Sequence, residues 1–306
     1  MNSKNIKYLV LNFGWYKKTP YLITYSDSFN IIEHKKLENL SFSWNVSKQR
    51  NCPGYFNLLT GEYTPCIKKI DLSNTKYERC KECESNMGFK KGFVYRSNNL
   101  NETAKKYFQM EHFLYLAYFS PDFIKVGTAN LLRKYDRLYE QGASAYCFFA
   151  SLKGLDILEV ESFISRNTNI PERISNNIKL QIIKGLNINN LPIHTLKEKE
   201  LQIETVLKNT NFRKYLLKNP EFGEVYIPSI FKSKEIQNFI YLESLEEIKE
   251  ISGIILGVKG NFITFGNGNN IYIINGKELV GRTIEEYNNP KEIFINNRQL
   301  NLNLLI

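Results

Sequence analysis

Between residues 113 and 143 the pattern of apolar and polar positions changes period within one short stretch. Tyr115-Leu116-Ala117-Tyr118-Phe119 is an apolar, aromatic run that stops at Ser120-Pro121-Asp122, and Phe123-Ile124-Lys125-Val126 follows as a second run. Two such runs around a turn signal predict an antiparallel hairpin. Gly127-Thr128 is expected to break the second strand, after which the spacing becomes helical. Leu131, Leu132, Tyr135 and Leu138 recur at helical intervals, Asn130 can cap the start and Gly142 the end, and Arg133 and Arg137 lie four apart on one face.

The same reading extends to both sides. Tyr8-Leu9-Val10-Leu11-Asn12-Phe13 and Tyr21-Leu22-Ile23-Thr24-Tyr25 flank a turn at Lys17-Lys18-Thr19-Pro20, which predicts a small antiparallel β unit. Residues 145–152 read as a third strand of the central region, and 155–165 as a helix with Leu155, Leu158, Phe163 and Ile164 inward. Residues 166–220 have helical character, broken at Pro171 and Pro192, with 197–217 as one amphipathic segment. The last third returns to strands at 251–258, 261–265 and 270–274. Gly266-Asn267-Gly268 lies between two of them without opening a helix, so it reads as a hairpin turn and not as a phosphate loop. The expected fold class is α+β, in three parts: a basic β module at 1–108, a core of three antiparallel strands with helices at 109–220, and a small β barrel or meander at 221–306.

Composition places this chain among globular proteins: 306 residues with 42% hydrophobic content suffice for two or three modest domains. The apolar core near the start, Tyr8 to Leu11, is too short for a signal peptide, and no run approaches bilayer length, so a cytoplasmic protein is expected. The net charge of +10 is unevenly spread. Residues 1–100 hold 16 Lys and Arg against 8 acids, 101–200 hold 13 against 11, and 201–306 hold 12 against 12. A basic first third favours a polyanionic partner, DNA or RNA, although lysines also serve simply to solubilise a surface. Trp15, Tyr16, Tyr21, Tyr25 and Trp44, interspersed with Lys7, Lys17, Lys18, Lys35 and Lys36, have the mixture that stacks on bases. Packing in a small sheet is the favoured reading. Lys90, Lys91, Arg96, Lys105 and Lys106 form a basic bridge into the hairpin and, with Arg133, are candidate phosphate contacts.

Four of the five cysteines cluster. Cys52, Cys66, Cys80 and Cys83 have the spacing Cys-x13-Cys-x13-Cys-x2-Cys, in which a Cys-x2-Cys knuckle offers two thiolates from one turn and two more cysteines close a tetrahedron. That is the pattern of a closed, structural zinc site. The alternatives are four unrelated buried thiols, or a redox pair at Cys80 and Cys83, which lacks the strand-to-helix setting it needs. Cys147, inside Tyr146-Cys147-Phe148-Phe149, reads as core, and His34, His112 and His194 are scattered.

The central stretch resembles the core of the GIY-YIG nucleases, with Phe113-Leu114-Tyr115 in place of Gly-Ile-Tyr and Lys125-Val126-Gly127 in place of Tyr-Ile-Gly. More closely, it is similar to an uncharacterised bacterial and archaeal family that joins a cysteine-rich module to such a core. The shared residues are the four cysteines, Tyr115-Leu116, Lys125-Val126-Gly127, Arg137, Gln141-Gly142-Ala143, Glu161 with Ile164-Ser165, Ile170-Pro171-Glu172-Arg173 and Gly257-Val258-Lys259-Gly260, from about residue 50 to 265. The resemblance implies metal-dependent phosphodiester hydrolysis of DNA or RNA. Tyr115 would stand near the attacking water, Arg137 would stabilise charge on the phosphate, and Glu161 would hold a catalytic Mg2+ or Mn2+. Lys125 would occupy the place of the family's second tyrosine. The alternative is a zinc-containing module that grips nucleic acid with the same fold and does not cut it.

Overall fold

A computed structural model of the chain describes residues 6–87, 102–185, 192–246 and 248–287. The chain divides into two units, one made of Met1–Met87 with Pro228–Ile306 and the other of Gly88–Ile227. Its class is mixed α+β, with six α-helices among the described residues.

The first unit opens with β1 (Lys7–Tyr16), β2 (Thr19–Ser26), β3 (Ile31–Lys36) and β4 (Ser41–Arg50), followed by the short pair β5 (Tyr55–Phe56) and β6 (Tyr63–Thr64) and by α1 (Lys81–Met87). The second unit contains α2 (Glu102–Gln109), β7 (Glu111–Ser120), β8 (Phe123–Asn130), α3 (Asp136–Gln141), β9 (Ala145–Lys153), α4 (Asp156–Thr168), α5 (Asn176–Lys184), α6 (Pro192–Leu207) and β10 (Leu216–Glu224). The chain then returns to the first unit with β11 (Ile240–Leu242), β12 (Glu250–Lys259), β13 (Phe262–Asn267), β14 (Asn270–Asn275) and β15 (Arg282–Glu286).

Strands from the two ends of the chain share one nine-stranded sheet, in the order β11-β14-β13-β12-β4-β15-β1-β2-β3. β4 lies between β12 and β15, with Trp44 opposite Ile251 on one side and Val46 opposite Ile284 on the other. These residues belong to one core with Val10, Phe13, Leu22, Ile263 and Phe265. The expected separation of 1–108 from 221–306 is thus replaced by a single unit. Alternating strands bury only one face each, and here they bury it against partners some two hundred residues away. The boundary at 220 also moves, because it would cut β10.

The second unit is a four-stranded antiparallel sheet in the order β10-β9-β7-β8. The hairpin pairs Tyr115 with Gly127 and Ala117 with Lys125, and β9 pairs along the other side of β7. Leu114, Leu116, Cys147 and Phe149 pack with Val160 and Ile164 of α4 and with Leu196 and Ile203 of α6. Cys147 is therefore a core residue, as the sequence indicates. β10 is the addition to the three expected strands. Its Pro220 reads as a breaker but lies in an edge strand, where the register shifts between Leu216 and Glu221 and a missing N–H leaves no ladder bond unmade.

Two local expectations are corrected. Gly127 does not end its strand; it sits within β8 directly opposite Tyr115. A Cβ at position 127 would come within 2.6 Å of the Tyr115 hydroxyl, so the glycine makes room for that ring. Gly223 on β10 does the same for Tyr146 on β9, where a Cβ would meet the hydroxyl at 2.5 Å. The predicted single helix after β8 is divided. Asn130 caps a 3-10 turn at Leu131–Arg133, accepting from the Leu132 amide at 2.7 Å, and α3 starts only at Asp136. The change of phase leaves Leu131 and Leu132 exposed and buries Leu138, while Gly142 closes α3 in the left-handed conformation as expected.

Candidate metal centre and cationic cluster

Cys52, Cys66, Cys80 and Cys83 come together with all four sulfur atoms within 4.8 Å of one another. A tetrahedral ion with metal–sulfur bonds of about 2.3 Å needs sulfurs about 3.8 Å apart, and the Cys66 and Cys80 sulfurs are 4.0 Å apart. Local structure aims the ligands. The Cys80 amide donates to the Cys52 sulfur at 3.3 Å, and Cys83 sits on the first turn of α1. Gly54, with φ +91°, passes so close to the 64–66 segment that a Cβ would lie 2.0 Å from the Thr64 carbonyl. Arg50 ties down the intervening loop by donating to the carbonyls of Leu72 (2.8 Å) and Tyr77 (3.1 Å). Burial pushes the Cys52 thiol up to about 11 and raises Cys83 further. Burial also works against ionisation of Cys80, but hydrogen bonds from the Cys83 amide and the neighbouring thiols hold it below its usual value. Four thiols in such a space could hold a metal such as zinc, whose charge replaces their protons.

The second unit gathers its ionisable groups on the Tyr115 side of the hairpin. Tyr115 is fully buried, and its ring meets Phe148 edge-on at 6.0 Å. Opposite Ala117, Lys125 is 6% exposed; its Nζ lies 5.8 Å from the centre of the Tyr115 ring and donates to the Glu172 carbonyl at 2.7 Å. The segment that supplies this carbonyl runs along the edge of β8, where the Val126 amide donates to the Pro171 carbonyl at 3.0 Å. Arg137 comes from α3, 43% exposed, and bonds Glu140 at 3.2 Å, a carboxylate it shares with Arg133. Glu161 comes from α4 and is half-buried.

These groups sense one another. Burial pushes the Tyr115 hydroxyl up to about 12, opposed by the charge of Arg137. Burial also raises the Glu161 carboxyl to about 7, with Lys125 pulling it down and Glu172 pushing it up. For Lys125 the amine falls to about 8, again by burial first, with Glu161 opposing and Arg137 and Lys179 adding to the fall. Burial works against the Arg137 charge, but Tyr115 and Glu140 outweigh it and hold the guanidinium above its usual range. Tyr115, Lys125, Arg137 and Glu161, four residues singled out in the sequence, thus stand in one neighbourhood supplied by β7, β8, α3 and α4.

Other candidates are elsewhere. Lys105 and Lys106 lie exposed on α2, where Lys105 pairs with Glu102 at 2.9 Å, and Lys90, Lys91 and Arg96 lie outside the described residues. Two members of the neighbourhood were missed. Lys179 on α5 is one, and it carried no signal beyond an ordinary helical lysine. Tyr107 on α2 is the other, a phenol that feels the charges of Arg133, Arg137 and Glu140. Among the described residues no helix is long and apolar enough to cross a membrane. The family model described as Protein of unknown function (DUF2797) matches residues 100–284, a span that includes Tyr115, Lys125, Arg137, Glu161 and Lys179 but not the four cysteines. No curated protein and no solved structure matches the chain.

Proposed function

The chain belongs to the DUF2797 family, and on that footing we propose that its second unit is a divergent GIY-YIG-like phosphodiesterase acting on DNA or RNA, and that the first unit carries a structural zinc centre. The observation that supports this reading is the meeting of Tyr115, Lys125, Arg137 and Glu161 over a floor of Ala117 and Gly127. Arg137 is the group placed to meet a phosphate, being charged at all working pH and open to solvent on one side. Its charge acts on the Tyr115 hydroxyl, and the close fit of the Tyr115 ring over Gly127 limits how far that ring can turn. Lys125 cannot donate and accept as a phenol does. It holds a permanent donor near the phosphate position, its own orientation set by the Glu172 carbonyl.

Glu161, with Glu172 in electrostatic range, suits a hard divalent ion of the kind held by one or two carboxylates, with water and substrate phosphate completing the shell. A bound Mg2+ or Mn2+ would supply Lewis-acid polarisation of a phosphoryl oxygen. Zinc at Cys52, Cys66, Cys80 and Cys83 would be structural, since four protein ligands leave no open position. Elemental analysis of protein purified without added metal should find about one zinc per chain; absence of zinc and iron would remove this part of the reading.

A second reading, a nucleic-acid-binding module without catalysis, is favoured by one observation: Tyr115 is wholly enclosed and its hydroxyl resists ionisation. Cleavage assays separate the two. With Mg2+ or Mn2+ and single-stranded, duplex and structured RNA and DNA, Arg137→Ala and Glu161→Ala should each abolish cleavage without unfolding the protein. Tyr115→Phe isolates the hydroxyl and should slow the reaction by about tenfold or more if that oxygen takes part. No cleavage of any substrate, with measurable binding that Arg137→Ala weakens, would replace the nuclease by the binding module.

A further inference from the structure

Lys179 reaches the cluster from α5, an element on which the sequence places no functional residue. Its Nζ donates to the Gln141 carbonyl at 2.8 Å, at the C-terminal end of α3, and lies 5.2 Å from the centre of the Phe119 ring. Arg137 stands one turn earlier on the same α3. Lys125 is held in the same manner, by one bond to a backbone carbonyl. Each ammonium has three donors, so each keeps two after this anchoring. Among the described residues neither has a carboxylate within the 4.0 Å of an ion pair. Arg137 has only Glu140, which Arg133 also uses.

A half-buried cation without a carboxylate partner is costly, and nothing in the packing of α5 calls for one, because a methionine of similar length would cover Phe119 as well. Burial and the Arg137 charge depress the Lys179 amine to about 8, which is the mark of that cost. Lys125, Arg137 and Lys179, with Arg133 and Arg173 in electrostatic range, outnumber the carboxylates of Glu161, Glu140 and Glu172 and leave an excess of positive charge that an anion would neutralise.

We propose that Lys179 is a phosphate contact which, with Lys125 and Arg137, forms a three-cation cradle able to hold a phosphate group before any divalent ion is bound. This rests on the reading of the cluster as a phosphodiester site and adds to it a residue, an element and an order of binding. Lys179 supplies one donor from the side of Phe119, Arg137 a planar pair from α3, and Lys125 one from the floor of the hairpin. Glu161 is left free to engage the ion afterwards.

The test is titration of the full-length protein with inorganic phosphate in metal-free buffer at pH 7, followed by calorimetry or 31P line broadening. Wild type should bind, Lys179→Met should weaken binding by about tenfold or more, as expected for loss of a charged hydrogen bond, and Lys179→Arg should restore most of it. Lys184→Met, at an exposed position on the same helix, should change affinity by about twofold or less. Lys179→Gln provides a second neutral variant should the methionine not fold. Absence of phosphate binding by wild type, or equal affinity in a folded Lys179→Met, overturns the proposal even if the enzyme cleaves nucleic acid. Lys179-dependent phosphate binding in a protein that cleaves nothing upholds the cradle and removes the nuclease reading.

Discussion

At the scale of single residues, the neighbourhood depends on what is absent as much as on what is present. Gly127 leaves the space that the Tyr115 hydroxyl occupies. Gly127→Ala should therefore cost about 1–3 kcal/mol of stability by overpacking, measured by urea unfolding, and the cost should shrink in the double variant with Tyr115→Leu, which removes the clashing atoms. Lys179 gives a pH-dependent expectation. Its amine is depressed from 10.5 to about 8 by burial and by Arg137 on α3, with the Lys125 amine on β8 also near. A depressed folded-state value means stability present above 10.5 and lost as pH falls through 8. Lys179→Met lacks that loss, so it should be more stable than wild type by about 2–3 kcal/mol at pH 7, with the difference vanishing as pH rises from 8 towards 10.5. A variant that gains stability and loses phosphate is the signature of a residue kept for binding.

Elements are positioned by a second cation, Lys134, just before α3. Its Nζ lies 4.2 Å from the centre of Phe113, 4.3 Å from Phe148 and 5.3 Å from Tyr135, and pairs with Glu221 of β10 at 2.5 Å. Tyr135 also donates to Glu221, at 2.7 Å. This clamp ties the start of α3 across the sheet and so sets where Arg137 stands. Lys134→Met with Glu221→Gln in a double-mutant cycle should show a coupling of about 1–2 kcal/mol in urea unfolding. A coupling near zero would make the clamp incidental. β10 thus serves the neighbourhood although nothing in its own residues announces it.

For the whole molecule, the shared sheet has the clearest consequence. β4 and β1 both lean on β15, and β4 also on β12, so a chain ending at residue 227 would strip both partners from β4 and one of two from β1. Such a truncation should be insoluble or lose cooperative unfolding, even though it keeps all four cysteines and the whole second unit. A soluble, zinc-replete truncation would contradict the shared core. The basic first third, 16 Lys and Arg against 8 acids, is therefore better probed by charge-reversing substitutions in the intact chain than by deletion.

Local interactions wrote the hairpin, the left-handed cap at Gly142, a hairpin turn after β13 and the four-cysteine set into the sequence, because each depends on neighbours or on a spacing that one tight turn can satisfy. That turn is Gly268-Asn269, with Gly266 and Asn267 still paired in β13. Tyr115, Lys125, Arg137 and Glu161 were legible as a set through the resemblance, since their spacing along the chain is what it carries. Pairings over long separations were not legible. The insertion of β4 between β12 and β15, the edge position of β10 and the arrival of Lys179 beside Arg137 depend on which buried faces find each other, and a strand's alternation states only that it has a buried face. Gly127 shows the limit most directly: in sequence a glycine after a β run is a break, and only a tyrosine ring on the opposite strand makes it a clearance.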